Sequence, residues 1–333
     1  MPQKRSPLGS AAEIIKGHLD VMVLSEDDVT RLLDPGLLLD GLADGFQAMA
    51  LGDLQTPARP ELTVPDKGFL LSMPAWRKGS PMMVKMVAVF ENNLEKGLPN
   101  HIATINLFDP ETGVPLCLMD GTYITAIRTA AAAVLSVREI ARPDAKRATI
   151  IGAGVQGREH LRLLDLVRDF EEILIGSLYY EDAEKLASAH LKAKAVEDLE
   201  AAVRRSDVVC LASHSYRPVI EADWVEPGTH VTSVGYAPPL GELPVALARD
   251  HKLFVEDDAS FAPPPVGCGE LQDLDPSSAI KLGDALAGRA PLRTSDTEIT
   301  VYKAMGIAME DLVAAELVYR AAVNEGQSTA VTI

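Results

Sequence analysis

Cysteine, aromatic side chains and long apolar runs are all scarce in this sequence. Its 333 residues include 3 cysteines, and aromatic residues make up 5 % of the chain. The cysteines lie far apart, and an odd number without a CxxC pair argues against a disulfide framework. No apolar run approaches the roughly 20 residues of a membrane-spanning helix, and the polar N-terminal residues lack the apolar core of a signal peptide. We therefore expect a cytoplasmic location and no membrane partner.

Positive charge is also in deficit. The chain has 31 Lys and Arg residues against 48 Asp and Glu residues, a formal net charge of −17. A chain this acidic repels a phosphate backbone, and no basic stripe offsets the repulsion, so the sequence predicts no nucleic-acid partner. Clustered His residues, paired Cys residues and the spacing His-Glu-x-x-His are missing too, which predicts no metal site. The apolar content of 47 % is typical of a globular protein.

The predicted elements change character along the chain. The first third mixes helices with strands, and the turn Asp109–Gly113 predicts a hairpin in a mainly antiparallel sheet. Residues 122–140 are rich in alanine and predict a long helix. From Ala148 onward apolar strands alternate with helices, which is typical of βαβ units and a parallel sheet. Ser295–Glu298 fits a capping box, so we expect the last long helix to begin there.

The most informative local motif lies at residues 148–157, which read Ala-Thr-Ile-Ile-Gly-Ala-Gly-Val-Gln-Gly. The pattern GxGxxG follows an apolar strand and opens an amphipathic helix, which is the context of a dinucleotide-binding turn. Gly152 permits the tight turn, Gly154 lets the backbone approach a pyrophosphate, and Gly157 lets the helix pack on the strand. The alternative is a glycine-rich turn without a ligand. We predict bound NAD or NADP, and the candidate cofactor-binding residues are Gly152, Gly154, Val155, Gln156 and Gly157.

The end of the second strand of this unit leaves the 2′ group of the cofactor open. An Asp or Glu at this point favours NAD, and a nearby Arg favours NADP. Instead the strand is followed by Ser177, whose hydroxyl can hydrogen-bond either a ribose hydroxyl or a phosphate. Ser177 is a further cofactor-binding candidate, and the choice between NAD and NADP stays undecided.

Two cations lie in apolar surroundings. Lys85 belongs to an apolar predicted strand, and Arg128 lies in the alanine-rich helix. A buried cation without a partner costs several kcal/mol, so each needs a negative charge nearby. The partner is either an internal carboxylate or the carboxylate of a ligand. In the second case Arg128 binds the ligand carboxylate with two parallel hydrogen bonds, and Arg59 is an additional contact. For His101 and Cys268, a structural role is the simpler interpretation.

Taken together, these segments resemble the ornithine cyclodeaminase/mu-crystallin family over about residues 20–320. The resemblance is carried by Leu98–His101, Met119–Ala131, Ile151–Gln156 and Thr294–Asp311. It implies homodimers whose subunit has a Rossmann-type doubly wound α/β domain inserted in an α+β domain for substrate binding and dimerisation. We assign residues 131–304 to the Rossmann domain and residues 1–130 plus 305–333 to the other.

The resemblance also implies roles for individual residues. The family's carboxylate-binding trio falls on Arg59, Lys85 and Arg128, and Lys85 lies near the reacting carbon in relatives, where it can move a proton. Thr129 matches a position that contacts the cofactor. The NADP-type Arg that follows the second strand in mu-crystallin is replaced by Leu178.

Two departures from ornithine cyclodeaminases decide the predicted reaction. Those enzymes carry a Glu at the position of Leu71 and a catalytic Asp at that of Ala237. Loss of ammonia from a linear diamine needs such groups, whereas a protonated imine accepts hydride with little acid–base machinery. We predict an NAD(P)H-dependent reductase of a small cyclic ketimine carboxylate, Δ1-pyrroline-2-carboxylate or Δ1-piperideine-2-carboxylate. The alternatives are an ornithine or lysine cyclodeaminase with bound NAD, an alanine-type dehydrogenase and a non-enzymatic crystallin-like binding protein.

Overall fold

The computed structural model describes residues 19–326 and 329–332, so most of the polar N-terminal segment discussed above lies outside it. In chain order the first part contains β1 (Asp20–Leu24), α1 (Glu26–Leu32), α2 (Pro35–Leu51), β2 (Leu54–Gln55), β3 (Glu61–Val64), β4 (Gly68–Arg77), β5 (Met82–Val89), β6 (His101–Phe108), β7 (Pro115–Asp120) and α3 (Thr122–Ile140). The middle part contains β8 (Arg147–Ile151), α4 (Val155–Leu164), β9 (Glu172–Gly176), α5 (Tyr180–Ala187), β10 (Ala193–Ala195), α6 (Leu199–Arg204), β11 (Val208–Leu211), β12 (His230–Ser233), α7 (Val245–Asp250), β13 (Lys252–Val255), β14 (Ile280–Lys281), α8 (Leu282–Leu286) and β15 (Thr300–Lys303). The chain ends with α9 (Ala308–Asn324) and β16 (Ala330–Thr332).

The first sheet has the strand order β16-β1-β7-β6-β5-β4-β2, and β3 also pairs with β4. Its neighbours are antiparallel except for β1 and β7, which run parallel. The turn at Asp109–Gly113 joins β6 to β7 as predicted, and the Asp109 carboxylate accepts backbone N–H groups within it. Side chains alternate along β5 between a buried and a more exposed face, as a pleated strand requires. Lys85 falls on the buried face.

The second sheet has the order β10-β9-β8-β11-β12-β15-β13-β14, and every neighbouring pair is parallel. All residues of β11, β12 and β15 are buried, as expected for parallel strands covered on both faces. After β10 the chain returns to the other side of β8, so the strand order reverses between β8 and β11. In doubly wound sheets, ligands bind outside the carboxyl ends of the strands at this reversal.

Two long helices connect the sheets. α3 packs against α2 and α4, and α9 packs against α2, α3 and the strands β4 and β5. The central residues of α3 are almost all buried, which explains its run of alanines in place of larger side chains. Within residues 19–326 and 329–332, no helix is long and apolar enough to cross a membrane.

The prediction that the last helix begins at Ser295 is wrong. The Glu298 carboxylate accepts from the backbone and hydroxyl of Thr294, which closes a turn, and the chain then continues into β15. β15 pairs with both β12 and β13, so its β-branched and aromatic side chains gain burial on both faces. This long-range pairing outweighs the local capping signal. α9 begins later, at Ala308.

Candidate active site

The three cations predicted to bind a carboxylate meet at one place. Lys85 projects from the inner face of β5, Arg128 from α3, and Arg59 from the segment between β2 and β3. The Arg59 Nη1 atom donates to the carbonyl of Gly306 at 3.2 Å. A Cβ atom built on Gly306 would overlap the Arg128 guanidinium, so both arginines contact this residue. Lys85 and Arg128 are 1 % and 4 % exposed.

Two carboxylates of α9 bind these cations. The two oxygens of Asp311 contact different partners: Oδ2 lies 2.6 Å from Lys85 Nζ, and Oδ1 accepts from Arg128 Nε at 3.0 Å. Glu310 Oε2 accepts from Arg128 Nη1 at 2.7 Å. Of the two kinds of partner left open by the sequence, this structure contains the internal carboxylate. Both members of each ion pair are buried, so the surrounding side chains hold the pairs in a fixed geometry.

A third carboxylate completes the cluster. Glu256 follows β13 and accepts from the backbone N–H groups of Met305 at 2.9 Å and Gly306 at 2.8 Å. Burial, with the negative charge of Glu256 next to it, raises the pKa of Glu310 well above its ordinary value. Burial raises the pKa of Glu256 as well. Carboxylates buried next to each other repel, so the shift favours the protonated form of Glu310.

Lys85 has the altered acidity expected of a functional lysine. Burial lowers its pKa to about 8, although the attraction of Asp311 opposes this shift. The positive charge of Arg128 acts in the same direction as burial. A lysine with such a pKa keeps most of its charge at neutral pH and can also release a proton there.

His101 and Cys268, left open by the sequence, differ in their relation to this cluster. Burial lowers the pKa of His101 to about 4, and the nearby charges of His214, Lys85 and Arg128 add to the effect, so its imidazole is neutral at pH 7. Cys268 is buried, its Sγ atom lies 3.6 Å from the carbonyl of Ser260, and burial raises its pKa to about 12. The Cys268 side chain is thus an unreactive thiol.

The glycine-rich turn joins β8 to α4. Gly152 has a φ of 121°, and a Cβ atom there would overlap the carbonyl of Ala212. A Cβ atom on Gly157 would overlap the carbonyl of Gly152, so the helix sits directly on the turn. Gly154 differs, because a Cβ atom there would meet nothing within 4 Å. No side chain caps α4, whose free N–H groups and open space at Gly154 fit a pyrophosphate.

The other predicted cofactor residues link this turn to the cations. Val155 is half exposed at the start of α4. Gln156 Nε2 donates to the carbonyl of Ala126 on α3 at 3.1 Å, which ties the first turn of α4 to the helix that carries Arg128. Thr129 also lies on α3, where its hydroxyl donates to the carbonyl of Thr125. Ser177 follows β9 and therefore lies apart from the cations, at the opposite side of the strand-order reversal.

Sequence reasoning assigned no role to the carboxylates Glu256, Glu310 and Asp311 or to Gly306. A signal was present, because Glu256 follows the apolar residues of β13 and Glu310 and Asp311 lie among the alanines and leucines of α9. Carboxylates in apolar company need partners just as cations do. Among the described residues, no group of three or more His, Cys, Asp or Glu side chains is arranged to hold a metal ion.

Comparisons with known protein families, sequences and solved structures all identify proteins that are similar to this chain. The model of the ornithine cyclodeaminase/mu-crystallin family matches residues 19–326. The chain is similar to the ketimine reductase mu-crystallin of Mus musculus, with 32 % identity over 95 % of this chain and 97 % of that protein. A solved structure of Thermococcus litoralis Δ1-pyrroline-2-carboxylate reductase, in complex with NADH and L-proline, has 32 % identity and a TM-score of 0.86, covering 94 % of this chain and 100 % of that one. An archaeal alanine dehydrogenase dimer with bound NAD has 29 % identity and a TM-score of 0.83, covering 94 % and 99 %.

Proposed function

Because the chain belongs to the ornithine cyclodeaminase/mu-crystallin family, we propose that it is an NAD(P)H-dependent reductase of a small cyclic ketimine carboxylate. The substrate is Δ1-pyrroline-2-carboxylate or Δ1-piperideine-2-carboxylate, and the product is the corresponding L-imino acid. The observation that carries the proposal is the convergence of three cations, because Arg59 and Arg128 meet at Gly306 and Lys85 and Arg128 meet at Asp311. Such a cluster recognises one small carboxylate.

The three cations bind the carboxylate of the substrate. Arg128 uses Nε and Nη1 for Asp311 and Glu310, which leaves its Nη2 group for the ligand. Because Lys85 and Arg128 are screened from water, their attraction for an anion exceeds that of surface cations.

We assign Lys85 a second role, at the nitrogen of the imine ring. Its pKa of about 8 allows the ammonium to donate a proton to this nitrogen near neutral pH. Bound NADH or NADPH supplies the hydride that C2 of the protonated imine accepts. Gly152, Gly154, Val155, Gln156 and Gly157 hold the dinucleotide at α4. The remaining cofactor candidates are Thr129 on the side of the substrate and Ser177 at the ribose.

Two apolar positions favour reduction over cyclodeamination. Leu71 lies on the buried face of β4, two residues before Met73, which pairs with Lys85. Ala237 is buried after β12. Neither side chain can hold a distal amine or move a proton, the two tasks that cyclodeamination of a linear diamine requires.

The first experiment measures oxidation of NADH and of NADPH, each with the two cyclic imines, by absorbance of the reduced nicotinamide. We expect steady imine-dependent oxidation, and the preferred nucleotide answers the question raised at Ser177. The variants Lys85→Ala and Arg128→Ala should lose most of this turnover. Wild-type rates in both variants would overturn the assignment of the site. Ammonia release from ornithine without net cofactor turnover would identify a cyclodeaminase, and cofactor binding without any turnover would identify a binding protein.

An alanine-type dehydrogenase is the second candidate, favoured by the likeness to the archaeal alanine dehydrogenase. A carboxylate site of three cations serves an acyclic amino acid equally well. The two candidates differ in the substrate that the remaining space accepts. NAD+ reduction by L-alanine that is faster than reduction by L-proline would favour the dehydrogenase.

We further propose a homodimer formed through the outer face of the first sheet. Met82, Ile102 and Leu118 are exposed there on the neighbouring strands β5, β6 and β7. An apolar face across adjacent strands is typical of a protein–protein contact, and the similar archaeal structure is a dimer. Light scattering should therefore give twice the chain mass of 35.7 kDa. The substitution Ile102→Lys should shift the protein toward the monomer, and a monomeric wild type would contradict the proposal.

The division into residues 131–304 and residues 1–130 plus 305–333 is also a proposal. It is supported by the parallel sheet, whose strands run from Arg147 to Lys303. A reducing, cytoplasmic location is supported by the cysteines, since all three are free and buried.

A further inference from the structure

A second buried ionic cluster lies at the carboxyl edge of the parallel sheet, and the reaction above does not use it. Its charged members are Glu242, Lys303 and Glu270, which are 0 %, 0 % and 3 % exposed. Lys303 is the last residue of β15, and the two glutamates come from loops that follow β12 and β13. We call these three residues the edge clamp.

Glu242 binds the two segments that follow β11 and β12. Its Oε2 atom accepts from the backbone N–H and the hydroxyl of Ser213, both at 2.6 Å. Its Oε1 atom accepts from the hydroxyl of Ser233 at 2.9 Å and the backbone N–H of Gly235 at 2.7 Å. One carboxylate thus receives four donors from two neighbouring loops.

Lys303 binds the second of these segments, the one that follows β12. Its Nζ atom donates to the carbonyl of Gly235 at 2.6 Å and to the hydroxyl of Ser233 at 3.1 Å, and it lies 3.2 Å from Glu270 Oε1. The N–H and the C=O of Gly235 are therefore both held by buried charged side chains. Burying charges is expensive, and apolar side chains of similar size are often equally stable, so fold stability is a weak reason for this arrangement.

The position of the edge clamp in the sheet suggests why these charges are buried. β9 and β10 lie on one side of the strand-order reversal, where the ribose candidate Ser177 is located, whereas β11, β12 and β15 lie on the other. A dinucleotide that crosses the reversal places its nicotinamide half on this second side. The clamped segment also supports the glycine-rich turn, because the Gly152 turn packs on the carbonyl of Ala212, next to Ser213.

We propose that Glu242 and Lys303 are positioning residues that hold the backbone of Ser213 and Gly235 against the nicotinamide half of the dinucleotide. The proposal rests on the proposed function only in requiring an NAD-type cofactor. The residues act through the two backbone segments and touch no reacting atom. Their loss should therefore weaken the contribution of the nicotinamide and leave the binding of the adenosine diphosphate half unchanged.

The test compares two ligands by titration calorimetry, the dinucleotide that the wild type binds and its ADP-ribose fragment, which lacks nicotinamide. The variants are Glu242→Gln, which keeps the shape of the side chain, and Lys303→Met. The matched control is Asp207→Asn, because the Asp207 carboxylate also accepts two backbone N–H groups, those of Lys146 and Arg147, but at the amino end of β8. Ser233→Ala, a smaller change to the same network, replaces any clamp variant that fails to fold.

We expect the wild type to bind the dinucleotide more tightly than ADP-ribose. In the clamp variants this ratio should fall about tenfold, the size of one lost hydrogen bond, with the affinity for ADP-ribose unchanged. The control should keep both affinities. An unchanged ratio in the clamp variants, an equal loss for both ligands, or a wild type that does not distinguish them would overturn the proposal.

This test is independent of imine turnover. A wild type that binds the dinucleotide but reduces no imine would overturn the reductase assignment and leave the binding comparison intact. If the wild type does turn over, deuterated NADH offers a second measurement. A badly positioned nicotinamide slows hydride transfer itself, so the deuterium isotope effect on kcat should rise in Glu242→Gln and stay at the wild-type value in Asp207→Asn.

Discussion

Replacement of Lys85 by methionine tests the charge of the carboxylate site with little change in side-chain volume. At a separation of about 4 Å and an effective dielectric constant near 20, two unit charges attract by about 4 kcal/mol. Asp311, only 2.6 Å from the Lys85 ammonium, offsets part of this attraction. Since about 1.4 kcal/mol corresponds to a factor of ten, kcat/KM for the imine should fall by about two to three powers of ten.

The pH dependence separates loss of charge from loss of structure. Lys85 is protonated below its pKa of about 8, so wild-type kcat/KM should decline as pH rises above that value. kcat/KM reports the free enzyme, whose lysine has no bound carboxylate to shift it. The decline should be missing from Lys85→Met. Lys252→Met is the matched control, because Lys252 also lies on a strand and pairs with a carboxylate, that of Glu298. A flat wild-type profile up to pH 10, or wild-type turnover in Lys85→Met, would refute this reasoning.

Three further predictions concern the ion pairs, the turn and the cofactor. Asp311→Asn removes the charge shared by two buried cations, so the unfolding free energy should fall by about 3–5 kcal/mol in a denaturant titration; an unchanged midpoint would contradict the buried pairs. Gly152→Ala should destabilise the protein, because the added Cβ atom would overlap the carbonyl of Ala212. Gly154→Ala should keep the wild-type melting temperature but bind NAD(P)H more weakly in a fluorescence titration. Equal melting temperatures in the two glycine variants would be the opposing result. Leu178→Arg adds a cation at an 89 % exposed position after β9, so KM for NADPH should fall relative to KM for NADH, and an unchanged ratio would place the 2′ group elsewhere.

The parts of the site that sequence reasoning located are those encoded locally. The turn at Gly152 is recognisable because strand, glycines and helix follow each other within a few residues. The cations Lys85 and Arg128 stand out because their immediate neighbours are apolar. Arg59, named as an additional contact of the carboxylate, shows no such pattern, and the family resemblance supports its role.

The internal partners of the cations were beyond this reasoning. Arg128 and Asp311 are separated by 183 positions, and only the packing of α3 against α9 brings them together. Sequence patterns indicate that a buried charge needs a partner, but they do not say which of 48 acidic residues supplies it. The edge clamp could not be predicted from the sequence for the same reason, since Glu242, Lys303 and Glu270 come from three separate segments.

The wrong start of the last helix illustrates the reverse case. Ser295–Glu298 matches the sequence pattern of a helix start. The residues that follow are nevertheless buried more completely as a strand between β12 and β13. A strand inserted between two others is stabilised by partners that are distant in sequence. Local capping rules do not include this contribution.

The placement of Arg128 and Asp311 on the helices that flank the parallel unit has a consequence for inheritance. With the proposed boundaries, Arg59, Lys85 and both of these residues belong to the outer part of the chain, whereas the glycine-rich turn lies entirely in the inserted part. The residues that bind the substrate carboxylate and those of the glycine-rich turn are thus encoded by separate stretches of the gene. Recombination that exchanges the single inserted stretch would change the nucleotide and retain the substrate, provided that the new insert supplies counterparts of Glu256 and Ala237.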